Sequence, residues 1–204
     1  MWRLLVPLRY LRIQHPEKIK FDLYFPMVFA ILISLPLLSE KFVADAKSSL
    51  DILGRSSDLL SILTGFFVAA LAAVATFGNA EMDEPMTGED PVTLVDHAGN
   101  EDKLSRRRFL SYLFGYLALA SIFTYVLGFA FYGIQTYLVG VLAPAWSTAS
   151  LVTFWLVYSL LLGNLLSNAL LGLFYLTDRI HRPNRVITFK GQQSSKSGGG
   201  TKAA

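Results

Sequence analysis

The feature that most constrains the fold is a long run without Asp, Glu, Lys, Arg or His, which extends from Phe109 to Thr177. A soluble domain of this size interrupts such a run with polar surface loops. Charged residues make up only 16% of the whole chain, against roughly 25% in an average soluble protein. Hydrophobic residues make up 53%, and the mean hydropathy is +0.45. The sequence therefore predicts an integral membrane protein and excludes a soluble globular one.

Four apolar segments are long enough to cross a bilayer core of about 30 Å as helices. The first is short and contains Pro26 and Pro36, and the long charge-free run is divided by a turn that contains Gly140 and Pro144. The predicted fold class is an all-α integral membrane protein with four transmembrane helices. Their approximate ranges are 23–38, 59–77, 109–134 and 150–176.

The spans define three regions of the chain. Residues 1–20 form a basic amphipathic N-terminal segment, residues 21–178 form the four-helix domain with a loop at 79–108, and residues 179–204 form a tail that is first basic and then flexible. The N-terminal segment interleaves apolar and basic residues, which is typical of a helix in the headgroup region. A disordered basic leader that only sets orientation is the alternative. The segment Glu40–Ser57 is predicted to form a short amphipathic helix outside the membrane.

The distribution of basic residues predicts the orientation of the spans. The N-terminal segment, the 79–108 loop and the tail carry five, four and six Lys and Arg residues, fifteen in all, against three in the other loops. Basic residues are enriched on the cytoplasmic side of membrane proteins. We therefore expect a multi-pass protein of the inner (plasma) membrane of a bacterium, with both termini in the cytoplasm.

No charged residue lies within the predicted spans, so helix association is expected to depend on small and hydrogen-bonding side chains. The absence of charge also disfavours an ion-coupled transporter. Small residues at helical spacing predict close helix packing and a homo-oligomer. The candidate packing and oligomer residues are Gly65, Ala69 and Ala73 in span two, Thr124 and Gly128 in span three, and Gly163, Asn164, Ser167 and Asn168 in span four.

The polar stripe of span four has three interpretations. Asn164, Ser167, Asn168 and Tyr175 fall within about one 100° arc of a helix. Asparagine is costly in hydrocarbon without a partner, so the arc is expected to face protein or water. It could form hydrogen bonds between helices, a contact between subunits, or the wall of a pore.

The loop between spans two and three is acidic, with no Lys or Arg from position 81 to position 102. Its pattern indicates a short β-hairpin, from Pro91–Val95 to a second run that ends at Leu104. The loop is either a solvated acidic surface or a docking site for a basic cytoplasmic partner. The candidate partner-binding residues are Glu81, Asp83, Glu84, Glu89, Asp90 and Asp96.

Basic residues beside the membrane are candidates for binding anionic lipid headgroups. Ser105 is placed to cap the third span, which puts the following arginine triplet in the first turn of that helix. The predicted headgroup-binding residues are Arg3, Arg9, Arg12, Arg106, Arg107 and Arg108.

Signatures of catalysis are missing from the sequence. There is no H-E-x-x-H, G-x-S-x-G, Walker or G-x-G-x-x-G motif, and no cysteine. The three histidines lie apart from any partner nucleophile or ligand cluster. We expect no enzymatic activity, no catalytic residue, no metal and no cofactor, and no direct binding of nucleic acid.

In size and four-span layout, the chain resembles small bacterial membrane proteins of phage-defence operons, such as the KwaA component of the Kiwa system. The resemblance extends over the whole chain as a layout. It implies an oligomeric membrane sensor with a soluble, nucleic-acid-binding partner encoded beside it. The sequence is compatible with two alternative functions. One is a sensor or scaffold that couples a membrane event to a cytoplasmic protein, and the other is a pore-forming effector that depolarises the membrane.

Overall fold

The computed structural model describes residues 2–14, 18–39, 46–76, 78, 82–86, 92–95, 101–141 and 144–179. Within these residues, four helical segments are long and apolar enough to cross a membrane. They are Lys20–Leu38, Leu50–Thr76, Arg106–Gln135 and Trp146–Thr177. The predicted fold class is confirmed: the protein is an all-α, multi-pass membrane protein with four candidate spans.

The first span is built from three helical pieces in sequence. A π-helical turn covers Lys20–Tyr24, α1 covers Phe25–Ser34, and a 3-10 turn covers Leu35–Leu38. Pro26 and Pro36 lie at the starts of the second and third pieces. Proline has no backbone N–H to donate, so the hydrogen-bond register changes at both positions.

The other three spans lie within longer helices. Helix α2 covers Ala46–Thr76, α3 covers Arg106–Val141, and α4 covers Pro144–Phe174 with a π-helical turn, Tyr175–Arg179, after it. The segment Glu40–Ser57, predicted to form a short amphipathic helix, is helical over its described residues but is not a short element of its own. From residue 46 that segment is the first part of α2, because no proline or turn-forming pair separates it from the apolar run that follows.

The helices pack as a sequence of neighbours, with α1 against α4, α4 against α3, and α3 against α2. Hydroxyl pairs join helices within the apolar region. Thr64 Oγ1 of α2 lies 2.8 Å from Ser121 Oγ of α3, and Ser56 Oγ of α2 lies 2.8 Å from Tyr158 Oη of α4. These bonds between helices satisfy polar groups for which hydrocarbon offers no partner.

A small antiparallel sheet closes one end of the bundle. Strands β2 (Thr93–Val95) and β3 (Glu101–Lys103) form the expected hairpin within the loop between α2 and α3. Strand β1 (Ile13–Gln14), which precedes span one, pairs with the other edge of β2, so that Ile13 lies opposite Leu94. The sequence did not predict this third strand. We call the assembly of residues 2–14, 82–86, 92–95 and 101–105 the cap.

The surroundings of α3 change along its length. Leu113, Phe114 and Leu117, near the cap, are completely buried, whereas Phe129 and Tyr132, farther along the helix, are 70% and 51% exposed. Met82, Leu94 and Leu104 of the cap belong to the same buried core as the first turns of α3; their exposed fractions are 1%, 7% and 0%. The near part of α3 is therefore protein core, and the far part presents apolar side chains to the membrane.

Candidate functional site

The most elaborate polar arrangement in the described residues lies where the first span meets α4 and the cap, and it begins with Pro26. Because Pro26 has no N–H, the carbonyl of Asp22 loses its usual helical donor four residues ahead. The N–H of Phe25 donates to the carbonyl of Lys20, so the carbonyl of Phe21 is also left without a helical donor. The first span therefore presents two unpaired carbonyls to its neighbour.

Side chains of α4 satisfy both of these carbonyls. Ser167 Oγ donates to the carbonyl of Phe21 at 2.7 Å, and Asn164 Nδ2 donates to the carbonyl of Asp22 at 3.4 Å. Neighbouring helices commonly supply such donors where a proline interrupts a membrane helix. These two members of the predicted polar stripe thus bind the first span within the same chain.

Two tyrosines complete the stripe from the other side. Tyr116 donates to Asn164 Oδ1 at 2.6 Å, and Tyr10 donates to Asn168 Oδ1 at 2.7 Å. Asn168 Nδ2 donates to the carbonyl of Asn164 at 3.1 Å, and Asn168 is fully buried. The two tyrosine rings stack with centroids 5.0 Å apart. The stripe therefore forms hydrogen bonds within the subunit, which is the first of its three predicted interpretations.

Tyr175, the remaining member of the stripe, packs against the cap end of α3. Its ring centroid lies 4.9 Å from that of Phe109. Phe109 in turn lies 6.4 Å from the ring of Tyr10. An aromatic cluster therefore continues the polar site toward the end of the bundle.

A charged pair adjoins these hydrogen bonds. Lys18 Nζ lies 3.4 Å from Asp22 Oδ2, and it donates to the carbonyls of Tyr10 and Ile13 at 2.8 and 3.0 Å. The ammonium also lies 4.7 Å from the centroid of the Tyr10 ring, within range of a cation–π interaction. Burial lowers the pKa of Lys18 below its usual value, although the Asp22 carboxylate acts in the opposite direction. We call Tyr10, Lys18, Asp22, Tyr116, Asn164, Ser167 and Asn168 the junction site.

The junction site corrects the expectation of four charge-free spans. The first membrane-length helix begins at Lys20 and therefore contains Asp22 in its first turn. The carboxylate is tolerated there because Lys18 pairs with it and the Tyr10 hydroxyl lies 3.3 Å from its Oδ1. The sequence offered one signal for the pair, since Lys18 and Asp22 are four residues apart at the start of an apolar run. It offered none for Tyr10, whose partner is far along the chain.

The N-terminal segment is helical and docks on the bundle. Residues Trp2–Arg12 form a 3-10 helix in spite of Pro7, whose ring lies 3.5 Å from where a Cβ of Gly115 would be. Tyr10 is 1% exposed and anchors the segment between α3 and α4. Of the predicted headgroup-binding residues in this segment, Arg9 and Arg12 are exposed and Arg3 lies within the helix.

The arginines at the start of α3 are engaged by the protein. Arg107 binds Asp83 with its Nε at 2.6 Å and its Nη2 at 3.1 Å, and its Nη1 donates to the carbonyl of Val74 at the end of α2. Arg106 is only 9% exposed, and Arg108 is exposed. The amide of Arg108 donates to Ser105 Oγ at 3.4 Å, as predicted for a helix cap. The expectation that this cluster is left to lipid is wrong for Arg106 and Arg107, because burial and a bidentate ion pair occupy them.

The acidic loop is described only in part. Asp83 and Glu84 are exposed, and Asp83 forms an ion pair with Arg107. Their role in partner binding stays a prediction. Glu81, Glu89, Asp90 and Asp96 lie outside the described residues, as does the tail from residue 180. In the parts that the structure describes, no three His, Cys, Asp or Glu residues come together to hold a metal ion.

The predicted small-residue positions separate into two groups. Thr124 is 1% exposed, a Cβ on Gly128 would lie 3.3 Å from Leu53 and Tyr158, and one on Gly163 would lie 2.5 Å from the carbonyl oxygen of Pro26. These positions therefore serve packing within the chain. In contrast, Gly65 and Ala69 of α2 are exposed, Ala73 is half-buried, and a Cβ on Gly65 would meet nothing within 4 Å.

The fold and this site define a four-span α-helical membrane protein whose polar residues join the N-terminal segment to the bundle. Comparisons with models of protein families, with curated proteins and with solved structures gave no match.

Proposed function

We propose that the protein is an oligomeric sensor or scaffold subunit of a bacterial inner membrane, which couples a membrane event to a soluble cytoplasmic protein. Both termini, the cap and the acidic loop would face the cytoplasm, in accordance with the excess of basic residues on that side. The resemblance in layout to membrane components of phage-defence operons suggests the setting in which such a subunit operates. The proposal includes no catalytic step.

The observation that carries this proposal is the pairing of β1 with β2. Strand β1 lies within the N-terminal segment, and β2 belongs to the loop between α2 and α3. A displacement of the N-terminal segment at the membrane therefore moves a strand of the loop directly. Lys18 reinforces the link, because it joins the carbonyls of Tyr10 and Ile13 to Asp22 of the first span.

The Asp83–Arg107 ion pair anchors the start of the loop to the helices. Arg107 binds Asp83 and the carbonyl of Val74, so residues 82–86 are tied both to the start of α3 and to the end of α2. Glu89, Asp90 and Asp96 lie beyond this anchor in sequence. They supply the negative charge that would steer a basic partner, with an attraction that weakens as salt screens it.

A charge-matched pair of variants tests the proposal. Glu89→Gln with Asp90→Asn removes two negative charges from the loop, and Asp51→Asn with Asp58→Asn removes two from the exposed surface of α2 at the other end of the bundle. Affinity-tagged protein is isolated from its native cells, and co-purifying proteins are quantified by mass spectrometry. We expect one soluble protein to be lost with the loop variant and retained with the α2 variant, in a salt-dependent manner. Equal recovery with both variants would contradict the proposal.

A further inference from the structure

The N-terminal segment presents an exposed amphipathic surface. Val6, Leu8 and Leu11 are 39%, 36% and 54% exposed, while Tyr10 and Ile13 on the opposite side are buried. Arg9 and Arg12 are exposed among these apolar side chains. A helix with exposed apolar residues interleaved with arginines is suited to the boundary between acyl chains and headgroups.

Two elements that bind the segment, α4 and the first span, also expose apolar side chains. On α4, Leu170, Leu173 and Phe174 are 55%, 40% and 50% exposed, close in sequence to Asn168, which holds Tyr10. At the start of the first span, Ile19 and Leu23 are 64% and 56% exposed. Exposed apolar side chains thus lie close in sequence to Asn168 and Lys18, the two residues that bind the segment.

We propose that the N-terminal segment binds anionic lipid, with Arg9 and Arg12 at the headgroups and Val6, Leu8 and Leu11 among the acyl chains. Of the two arginine groups that the sequence offered, only this one is both exposed and bordered by exposed apolar residues. Arg106 is buried, and Arg107 is bound to Asp83. Arg108 is exposed, but the apolar residues that follow it, Phe109 and Leu110, are buried. This inference rests on the proposed function and makes it more specific. It identifies anionic lipid as the ligand whose binding the cap would transmit to the cytoplasmic partner.

Lipid retention by the full-length protein tests this inference without any partner protein. The protein is embedded in nanodiscs of equal parts phosphatidylcholine and phosphatidylglycerol, and native mass spectrometry counts the lipids that remain bound. We expect preferential retention of phosphatidylglycerol. Arg9→Gln and Arg12→Gln should each weaken it about five-fold, which corresponds to about 1 kcal/mol per basic residue near a membrane surface.

Two control variants make the result specific. Arg9→Lys should retain the lipid, since it keeps the charge, and Arg55→Gln should also retain it, since Arg55 is an exposed arginine on α2. A loss of retention with Arg55→Gln equal to that with Arg9→Gln would overturn the inference, as would equal retention of the two lipids by the wild type. Displacement of the lipid by inorganic phosphate alone would assign the site to free phosphate and would also overturn it.

A second measurement locates the apolar side of the segment. The chain has no native cysteine, so Leu11→Cys can be labelled with a fluorophore at a single position. Brominated lipids should quench this label more strongly than the same label at Lys103→Cys, in strand β3 of the cap. Equal quenching would place the segment away from the acyl chains and would contradict the inference. Neither measurement depends on the acidic loop. A negative result would therefore contradict the lipid-binding inference without contradicting the proposed function.

Discussion

The Tyr10 hydroxyl donates a hydrogen bond of 2.7 Å to Asn168 Oδ1, and thereby connects two residues that are 158 positions apart in the chain. Asn168 is fully buried, and Tyr10 is 1% exposed. A single bond thus fixes the N-terminal segment to the last span, at the point where Tyr116 and Asn164 form a second bond of the same kind.

Tyr10→Phe should destabilise the folded protein by about 1–3 kcal/mol, because Asn168 Oδ1 loses its donor while it remains buried. The free energy of unfolding in mixed micelles, titrated with a denaturing detergent, measures the effect. Tyr24→Phe is the matched control, because Tyr24 is 67% exposed and should change little. Equal stabilities of the two variants would show that the bond to Asn168 contributes nothing.

Ser167→Ala should cost about 0.5–1.5 kcal/mol, since it leaves the carbonyl of Phe21 without its donor. The cost should be smaller in a Pro26→Ala background, because an N–H at position 26 allows the α-helical register in which the N–H of Phe25 donates to the carbonyl of Phe21. A double-mutant cycle over the two positions measures this coupling. Strict additivity of the two substitutions would contradict the assignment of Ser167 as the substitute donor.

Stability should fall at alkaline pH through Tyr10. Burial raises the pKa of Tyr10, and the nearby Asp22 carboxylate adds to this effect. The folded state therefore keeps the phenol proton at pH values where the unfolded chain has lost it, so the stabilisation is complete below pH of about 10 and declines above it. Unfolding titrations at successive pH values should show a steeper alkaline decline in the wild type than in Tyr10→Phe. Parallel curves for the two proteins would exclude Tyr10 as the group responsible.

Gly163→Ala should be destabilising by about 1–3 kcal/mol, because its Cβ would lie 2.5 Å from the carbonyl oxygen of Pro26 and 3.1 Å from the amide nitrogen of Ala30. Gly65→Ala should be neutral or slightly stabilising, since its Cβ meets nothing within 4 Å and alanine is the better helix former. The two variants are compared by the same unfolding titration.

The exposed small-residue face of α2 supplies a separate prediction. Gly65→Leu should leave the monomer fold intact and reduce the mass of the assembly, if the expected homo-oligomer packs through this face. Light scattering of the detergent-solubilised protein measures that mass. An unchanged oligomer with Gly65→Leu would exclude α2 from the contact between subunits.

The predicted orientation places the cap and both termini in the cytoplasm. A cysteine at position 90 should not react with an impermeant reagent in intact cells, and it should react after the cells are permeabilised. A cysteine at position 51, near the other end of α2, should show the reverse behaviour. Labelling of position 90 in intact cells would show that the topology is the inverse of the predicted one, with the acidic loop outside the cell.

The four spans were predictable because hydrocarbon imposes a simple rule on composition and length, and a run such as Phe109–Thr177 satisfies it without reference to tertiary structure. The hairpin β2–β3 followed from local turn residues in the same way. The first span begins at Lys20, three residues before the predicted start, and it therefore includes Asp22. Its pairing with Lys18 depends on the surrounding fold.

The junction site was only half predictable. Asn164, Ser167 and Asn168 were recognisable as a costly stripe, since asparagine in hydrocarbon requires a partner. Their partners were not recognisable, because Tyr10 and the backbone carbonyls of Phe21 and Asp22 belong to distant segments that carry no matching signal. Similarly, the sequence predicts both Gly65 and Gly163 as packing positions. Only the packing of α1 on α4 shows that Gly163 is the one at which two helix backbones come close together.

The bond between Tyr10 and Asn168 also sets the order in which the protein can be completed during synthesis. Tyr10 leaves the ribosome 158 residues before its acceptor, a delay of roughly 8–30 s at about 5–20 residues per second. During that interval β1 lacks β2 as well, until the chain has passed the second span. The N-terminal segment, although it is made first, therefore cannot complete its contacts until the fourth span has been made.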